Sequence, residues 1–348
     1  MAGAKSLVLI SGVNGYIANS TAKAFLDAGW RVRGTARSKE ASLRLLGDAF
    51  KGHIDAGDFE IVEVKDITIS GAFDEAVKGV DAIAHLAAPI SLSFVDPAPV
   101  MKGATVGTSV ILQSAYKHAG PQLRVVVQMS SIAAIRSDEN PPYTLTEANW
   151  NEVSEDVVAN MGVESGAGHI YRASKTASEK VFWSFRDRVK PNWSMAAVNP
   201  SFVVGAPGAL PDSPDELQST TVNVWRALVG QEVPEAGPGL GNVVDVRDVA
   251  RVIIFAAENP EKVNGERYLA TSAWATPQTY YDILNKHYPE RKGIIPVGEP
   301  GAGYVPGYQI PPDLVQVDNT KVPKLTGQDW IPFEQTVVDA AKTFERYL

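Results

Sequence analysis

The chain has 348 residues, of which 45% are hydrophobic and 21% are charged, and its formal net charge at pH 7 is -8. These fractions are typical of an ordinary soluble globular protein, and the acidic balance argues against nucleic acid and anionic membranes as partners. The sequence has no cysteine, which excludes disulfides, thiolate nucleophiles and cysteine-ligated metal.

The first two-thirds of the chain alternates short apolar runs with longer amphipathic stretches. The runs predict strands over 6–10, 31–36, 59–64, 80–86, 123–128 and 194–198. The amphipathic stretches predict helices over 16–28, 41–50, 99–118, 170–189, 247–258 and 279–287, and a short helix near 73–78. This alternation predicts an α/β fold, a doubly wound parallel sheet of the Rossmann type with helices on both faces.

Beyond about residue 199 the alternation loosens, and proline and glycine cluster at 205–214, 234–241 and 296–312. We therefore expect a dinucleotide-binding domain over residues 1–200 and a smaller, interleaved substrate-binding lobe over 201–348, with further sheet elements from about 241–270. A ligand would bind between them, at the carboxyl ends of the strands.

The hydrophobic segments are short. The N-terminal apolar run is too brief for a signal peptide, and no stretch approaches the roughly 20 apolar residues of a membrane span. We expect a cytosolic protein.

A glycine-containing turn follows the first predicted strand and opens a helix. It reads Gly12-Val13-Asn14-Gly15, which departs from the G-x-G-x-x-G spacing of dinucleotide sites. Glycine lets the backbone approach a pyrophosphate, and a helix N-terminus presents free N–H groups to it. A plain strand–helix turn would use the same residues, but the place of this turn in a β-α-β unit favours a dinucleotide.

The end of the second predicted strand indicates which dinucleotide. It carries no acidic residue to bind the ribose 2′-OH of NAD. Arg37 stands there instead, and its planar guanidinium suits a 2′-phosphate, with Arg44 or Lys39 as a second cation. A solvated loop arginine is the alternative, and we favour NADPH over NADH.

A tyrosine and a lysine lie one helical turn apart in the predicted helix 170–189. Tyr171 and Lys175 therefore share one helix face. Acid–base work near neutrality needs a phenol pKa lowered by about three units, and a cation about 4 Å away supplies the roughly 4 kcal/mol required. The fifth strand ends in Ser130 and Ser131, where a hydroxyl can polarise a substrate carbonyl. Each feature alone has an ordinary structural explanation, so the prediction depends on their joint order.

In these motifs, over roughly residues 6–270, the chain resembles the extended short-chain dehydrogenase/reductase superfamily, the NAD-dependent epimerase/dehydratase family. It is most similar to the branch that holds dihydroflavonol reductases, fungal aldehyde reductases and yeast methylglyoxal reductase. The resemblance implies that Ser131, Tyr171 and Lys175 are catalytic. It also implies a set of residues along NADP(H): Gly12, Asn14, Gly15, Tyr16, Ile17, Arg37, Arg44, Asp66, Ile67, Leu86, Ala87, Ala88, Tyr171, Lys175, Pro200 and Val203.

Together these features predict NADPH-dependent reduction of an aldehyde or ketone to the alcohol. Ser131 orients the carbonyl, Tyr171 is the general acid, and Lys175 lowers the pKa of the tyrosine. The alternatives are an NAD-dependent sugar-nucleotide epimerase or dehydratase and, less favoured, a non-enzymatic NADP-sensing regulator.

The substrate is a small carbonyl compound whose identity the sequence leaves open. Four apolar residues are candidates for its pocket, although each could equally belong to the core: Phe94, Ile132, Phe202 and Trp225. We expect a monomer or homodimer without a metal.

Two departures from the family pattern matter. Many members have asparagine directly before the glycine of the long helix 99–118, where this chain has Val106. A proton relay through that asparagine is therefore in doubt, and water or the ribose would have to serve. The segment 132–170 is also long and contains several glycines, which favours a mobile lid over the site.

Overall fold

The computed structural model describes residues 5–88, 95–137, 143–217, 219–235 and 241–348. The strands of this part are β1 (Leu7–Ser11), β2 (Arg31–Ala36), β3 (Phe59–Glu63), β4 (Ala82–His85), β5 (Val125–Met129), β6 (Thr144–Leu145), β7 (Ser194–Pro200), β8 (Phe202–Val204), β9 (Asn242–Asp245), β10 (Glu266–Ala270), β11 (Ala273–Trp274) and β12 (Gln316–Val317). The helices are α1 (Tyr16–Asp27), α2 (Lys39–Asp55), α3 (Pro97–His118), α4 (Val153–Met161), α5 (Gly166–Val189), α6 (Val222–Leu228), α7 (Val246–Glu258), α8 (Pro260–Val263), α9 (Pro277–His287), α10 (Lys321–Thr326) and α11 (Phe333–Phe344).

Within the described residues, seven strands form one sheet in the order β10-β7-β5-β4-β1-β2-β3, and all its pairings are parallel. The chain runs from β1 outward to β3, then crosses back to β4 and continues outward to β10. The order of strands therefore reverses between β1 and β4, and a crevice opens there at their carboxyl ends. The predicted doubly wound α/β fold is confirmed.

Burial on both faces explains why β1 is apolar from Leu7 to Ile10. In β1, Val8 and Ile10 belong to the core on one face of the sheet, whereas Leu7 and Leu9 belong to the core on the other face. The side chains of a strand alternate between the two faces, so both sets must be apolar when helices cover both.

The C-terminal part adds a second, three-stranded sheet in the order β11-β9-β8. Its core includes residues of α6, α9 and α11 and is separate from the two cores of the large sheet. Because β8 begins two residues after β7 ends, this sheet lies directly beyond the carboxyl edge of the large one. The predicted boundary near residue 200 falls between these strands, and the division into two domains stays a prediction.

Helix α5 carries the predicted tyrosine–lysine pair. It ends at Val189, where Lys190 adopts the left-handed conformation with φ 51. The helix packs on α3, and the hydroxyl groups of Thr108 and Ser178 form a hydrogen bond of 2.8 Å between the two helices. This contact links α5 to α3.

One predicted helix is wrong. Residues 73–78 form a run of turns, and the guanidinium of Arg33 in β2 donates to the carbonyl oxygens of Ala76 and Lys78 at 2.9 and 2.6 Å. Those carbonyls are thus satisfied from outside the segment. The other predicted helices and strands are present, with ends that differ by a few residues. No helix in the described part of the chain combines the length and apolar character needed to cross a membrane.

Candidate active site

The turn between β1 and α1 presents backbone N–H groups at the crevice. Gly12 lies in the left-handed region with φ +70, and a Cβ atom there would lie 3.1 Å from the Cα atom of Ala87. The N–H of Gly15 donates to the carbonyl oxygen of Gly12 at 2.9 Å, and no side chain of the described residues caps α1. The first N–H groups of α1 therefore remain available to an anion such as a pyrophosphate.

A buried serine joins this turn to the loop after β4. The hydroxyl oxygen of Ser11 accepts the N–H groups of Leu86 and Ala87, both at 2.9 Å, and lies 2.8 Å from Nδ1 of His85. Because that oxygen already accepts two bonds, its own proton points to Nδ1, which assigns the ring proton of His85 to Nε2. Burial, helped by the charge of Lys175, lowers the pKa of His85 to about 4, so the ring is neutral at pH 7.

The predicted binding residues for the adenosine half lie beyond β2 and β3. Arg37 and Arg44 are exposed, and neither forms an ion pair with another described residue. One oxygen of Asp66 accepts the N–H and the hydroxyl of Thr68, at 2.8 and 2.7 Å, and these bonds lower the pKa of Asp66. The carboxylate therefore stays ionised and keeps its second oxygen for an amine.

Ile67 and Ala88 complete this side of the crevice. Ile67 packs against α3 where Gly107 leaves room, since a Cβ atom at Gly107 would lie 2.7 Å from Cδ1 of Ile67. Ala88 is half-buried and lines a small cavity next to Lys175. Asn14 is half-buried in the glycine turn.

Ser131, Tyr171 and Lys175 meet at the carboxyl end of β5. Ser131 is the second residue after β5, and its hydroxyl acts on the pKa of Tyr171 through a hydrogen bond to the phenol. The Nζ atom of Lys175 lies 6.0 Å from the centre of the tyrosine ring and donates to the carbonyl oxygen of Met129 at 3.4 Å. The structure thus brings the three predicted catalytic side chains together.

The pKa values of this group differ from the expectation. Burial raises the pKa of Tyr171, and the hydrogen bond from Ser131 opposes the rise. Burial also lowers the pKa of Lys175 to about 8, opposed by the charge of Glu179. The predicted lowering of the tyrosine pKa is wrong for this chain alone, because both groups are desolvated and the ammonium is 6.0 Å from the ring centre. The phenol holds its proton at neutral pH.

The sequence analysis did not identify a buried carboxylate that lies one turn beyond Lys175. Glu179 is 0% exposed, and its Oε1 atom lies 2.6 Å from Nε of Arg267. The carboxylate also accepts the hydroxyl of Ser130 and, at 2.8 Å, the side-chain amide of Asn199. It therefore ties α5 to the ends of β5 and β7 around the site. Its i+4 spacing from Lys175 was the signal available in the sequence.

The segment 146–150 contacts the same arginine. The guanidinium of Arg267 lies 3.9 Å from the centre of the Trp150 ring and donates to the carbonyl oxygens of Glu147 and Asn149 at 2.7 and 2.6 Å. This segment is thus packed against the site. The predicted lid over 132–170 stays a prediction, and residues 138–142 lie outside the described residues.

The residues predicted beside the nicotinamide are buried where β7 leads into β8. Pro200 ends β7, and Val203 is 5% exposed. The phenol of Tyr16 donates to the carbonyl oxygen of Gly205 at 2.9 Å, so this side chain holds the segment after β8. Tyr16 and the half-buried Ile17 would therefore contact a ligand through their backbone N–H groups.

Of the predicted substrate residues that the structure describes, Phe202 and Trp225 pack against the same apolar core, whereas Ile132 packs elsewhere. Phe202 lines a cavity of about 60 Å³ together with Trp274 and Tyr280. Ile132 packs against a small apolar group that includes Ile135.

Trp225 makes edge contacts with Phe344 and Tyr347, with ring centres 6.3 and 5.7 Å apart. It does not line that cavity within the described residues. Phe94 lies outside the described residues.

Comparisons with known proteins agree with this arrangement. The model of the NAD dependent epimerase/dehydratase family matches residues 8–270. The NADPH-dependent methylglyoxal reductase of Saccharomyces cerevisiae is 30% identical over 353 residues, which cover 98% of each chain. A ketoreductase of Penicillium roqueforti is 33% identical over 291 residues, 83% of this chain and 82% of the relative. The crystal structure of yeast methylglyoxal/isovaleraldehyde reductase complexed with NADPH superposes with a TM-score of 0.82 at 28% identity, covering 98% of this chain and 100% of that one.

Proposed function

The chain belongs to the NAD dependent epimerase/dehydratase family, as the motifs predicted, and from this we propose that it is an NADPH-dependent carbonyl reductase. It reduces an aldehyde or ketone to the alcohol. The strongest support for the proposal is that Ser131, Tyr171 and Lys175 lie together near a glycine turn without a side-chain cap. Relatives named as NADPH-dependent methylglyoxal reductase and ketoreductase support the same reaction.

The residues of the crevice fit a dinucleotide with a 2′-phosphate. The glycine turn offers free N–H groups, a Cβ atom at Gly12 would obstruct the approach to Ala87, and Arg37 is exposed where an acidic residue would select NAD. NADPH, when bound, supplies the hydride. The residues proposed to hold it are Gly12, Asn14, Gly15, Tyr16, Ile17, Arg37, Arg44, Asp66, Ile67, Leu86, Ala87, Ala88, Tyr171, Lys175, Pro200 and Val203.

Each catalytic side chain has one role at the substrate oxygen. Ser131 and Tyr171 are within hydrogen-bond reach of each other, so a carbonyl oxygen that replaces their mutual bond can accept a bond from each hydroxyl. Tyr171 then gives its proton to this oxygen as negative charge develops there. Its raised pKa keeps that proton in place until the substrate arrives. The ammonium of Lys175 stabilises the phenolate that remains.

The sequence analysis left two alternative functions. A sugar-nucleotide epimerase or dehydratase is disfavoured because Arg37 stands at the end of β2 in place of an acidic residue. A regulator without activity has no need for a serine, a tyrosine and a lysine gathered at one end of a strand. The predicted cytosolic location and the choice between monomer and homodimer stay predictions.

The proposal is tested by following NADPH oxidation with the purified protein. The panel consists of aldehydes, 2-oxoaldehydes, α-ketoesters, diketones and aryl ketones, with NADH in parallel. We expect turnover with at least one class, and much slower turnover with NADH. Purified protein that retains NAD tightly and oxidises NADPH with none of these compounds would overturn the proposal in favour of an epimerase or dehydratase.

A further inference from the structure

A small polar cavity lies next to Lys175, between β4, β5, α3 and α5. It measures about 10 Å³ as the space open to the centre of a water molecule, which is about the room that one buried water needs. Its polar lining consists of His85, Gln128, Ser174, Lys175 and Ser178. Each of these residues is less than a tenth exposed.

One buried acceptor in this lining has no partner within the protein. Gln128 is 2% exposed, and its Nε2 atom donates to the hydroxyl of Ser178 at 2.7 Å. Ser178 in turn shares a 2.8 Å hydrogen bond with Thr108, so this chain of contacts fixes the amide. Its Oε1 atom has no hydrogen-bond partner among the described residues. A buried acceptor left in this state costs about 1–3 kcal/mol, so a partner in the cavity is expected.

The neighbouring groups supply complementary donors. One N–H of the Lys175 ammonium points to the carbonyl oxygen of Met129, which leaves two others. The ring proton of His85 lies on Nε2, because Nδ1 faces the hydroxyl of Ser11. A water molecule accepts two hydrogen bonds and donates two, so it can satisfy the lysine, the histidine and Oε1 of Gln128 together.

We propose that this cavity is a built water site, in which one water molecule bridges Lys175, Gln128 and His85 and keeps the lysine ammonium in place. Gln128 is thus a positioning residue that acts through the water. This inference rests on the proposed reductase function.

The water also favours the charged form of Lys175, because it accepts a hydrogen bond from the ammonium. The other titratable groups facing this lysine among the described residues are His85, Tyr171 and Glu179. None of these is changed by a substitution at Gln128. The loss of the water should therefore lower the pH at which the lysine loses its proton.

The first test is crystallographic and needs no activity. We expect a water peak in the wild-type protein within about 3.2 Å of Nζ of Lys175 and Oε1 of Gln128. The peak should be absent in Gln128→Met. An empty cavity in the wild-type protein overturns the proposal whatever the protein catalyses.

The second test compares pH profiles of kcat/KM. Gln128→Met should move the high-pH decline down by about one unit, whereas Gln128→Glu should move it up because a carboxylate favours the ammonium. The matched control is Gln122→Met, whose side-chain amide donates to the carbonyl oxygens of Val80 and Ala119, and the high-pH decline of this variant should match that of the wild type. Unchanged declines, or equal downward shifts in both variants at position 128, overturn the water role. Failure of the reductase proposal would show separately, as no turnover by the wild type.

Discussion

Glu179→Gln tests the buried support of the site. The carboxylate is 0% and Arg267 8% exposed, and their atoms lie 2.6 Å apart. Removing one partner of a buried ion pair leaves an uncompensated charge and typically costs about 3–5 kcal/mol. Glutamine keeps the shape and one acceptor oxygen, so we expect the free energy of unfolding to fall by about 3 kcal/mol, the lower end of that range. The same change removes a charge that raises the pKa of Lys175.

Urea denaturation followed by tryptophan fluorescence measures the first effect, and the pH profile of kcat/KM measures the second. The profile should decline at lower pH than in the wild type, because the lysine loses its proton more easily. The control is Asp187→Asn, which breaks an ion pair of 2.8 Å with Arg186 whose aspartate side chain is 65% exposed. That change should cost under about 1 kcal/mol. If Glu179→Gln is no more destabilising than this control, the buried carboxylate does not hold the site together.

Three further predictions concern the cofactor and the pH range. Arg37→Ala should weaken NADPH binding about 10- to 100-fold and leave NADH binding nearly unchanged in fluorescence titrations; equal losses would remove the 2′-phosphate role. The wild-type kcat/KM should fall as pH rises through about 8, because the pKa of Lys175 is lowered to about 8 by burial and the neutral amine no longer stabilises a phenolate; a profile that stays flat well beyond that pH would contradict this. Gly12→Ala should lower the free energy of unfolding by about 1–2 kcal/mol and remove most of the NADPH affinity, since Gly12 has φ +70 and the Cα atom of Ala87 lies 3.1 Å from the added Cβ. A melting temperature equal to that of the wild type, both with and without NADPH, would refute this prediction.

The large sheet could be predicted from the sequence because the patterns that indicate its strands and helices are local. Strands buried on both faces are mostly apolar, and the helices between them show one apolar face. The segment near 73–78, predicted as a helix, is a run of turns whose last carbonyls are bound by Arg33 from another strand, and a local sequence pattern contains no sign of that contact. Helix α11 was missed although Val337, Ala340, Ala341 and Phe344 recur at helical spacing.

In the site, too, local contacts followed from the sequence and long-range contacts did not. Tyr171 and Lys175 are one helical turn apart, so their meeting followed from local geometry. The direction of the tyrosine pKa did not follow, because it depends on burial by distant segments. Glu179 stood at the right spacing, but its partner Arg267 is 88 positions away, and only the fold brings the two charges together.

Turnover by Tyr171→Phe tests the proposed proton donor most directly. The variant lacks only the hydroxyl, so kcat should fall about 10²- to 10⁴-fold while the Kd for NADPH stays close to that of the wild type. The exposed tyrosine variant Tyr116→Phe, changed at a side chain that is 57% exposed, should keep full activity. Wild-type turnover by Tyr171→Phe would contradict the proposal that this phenol delivers the proton.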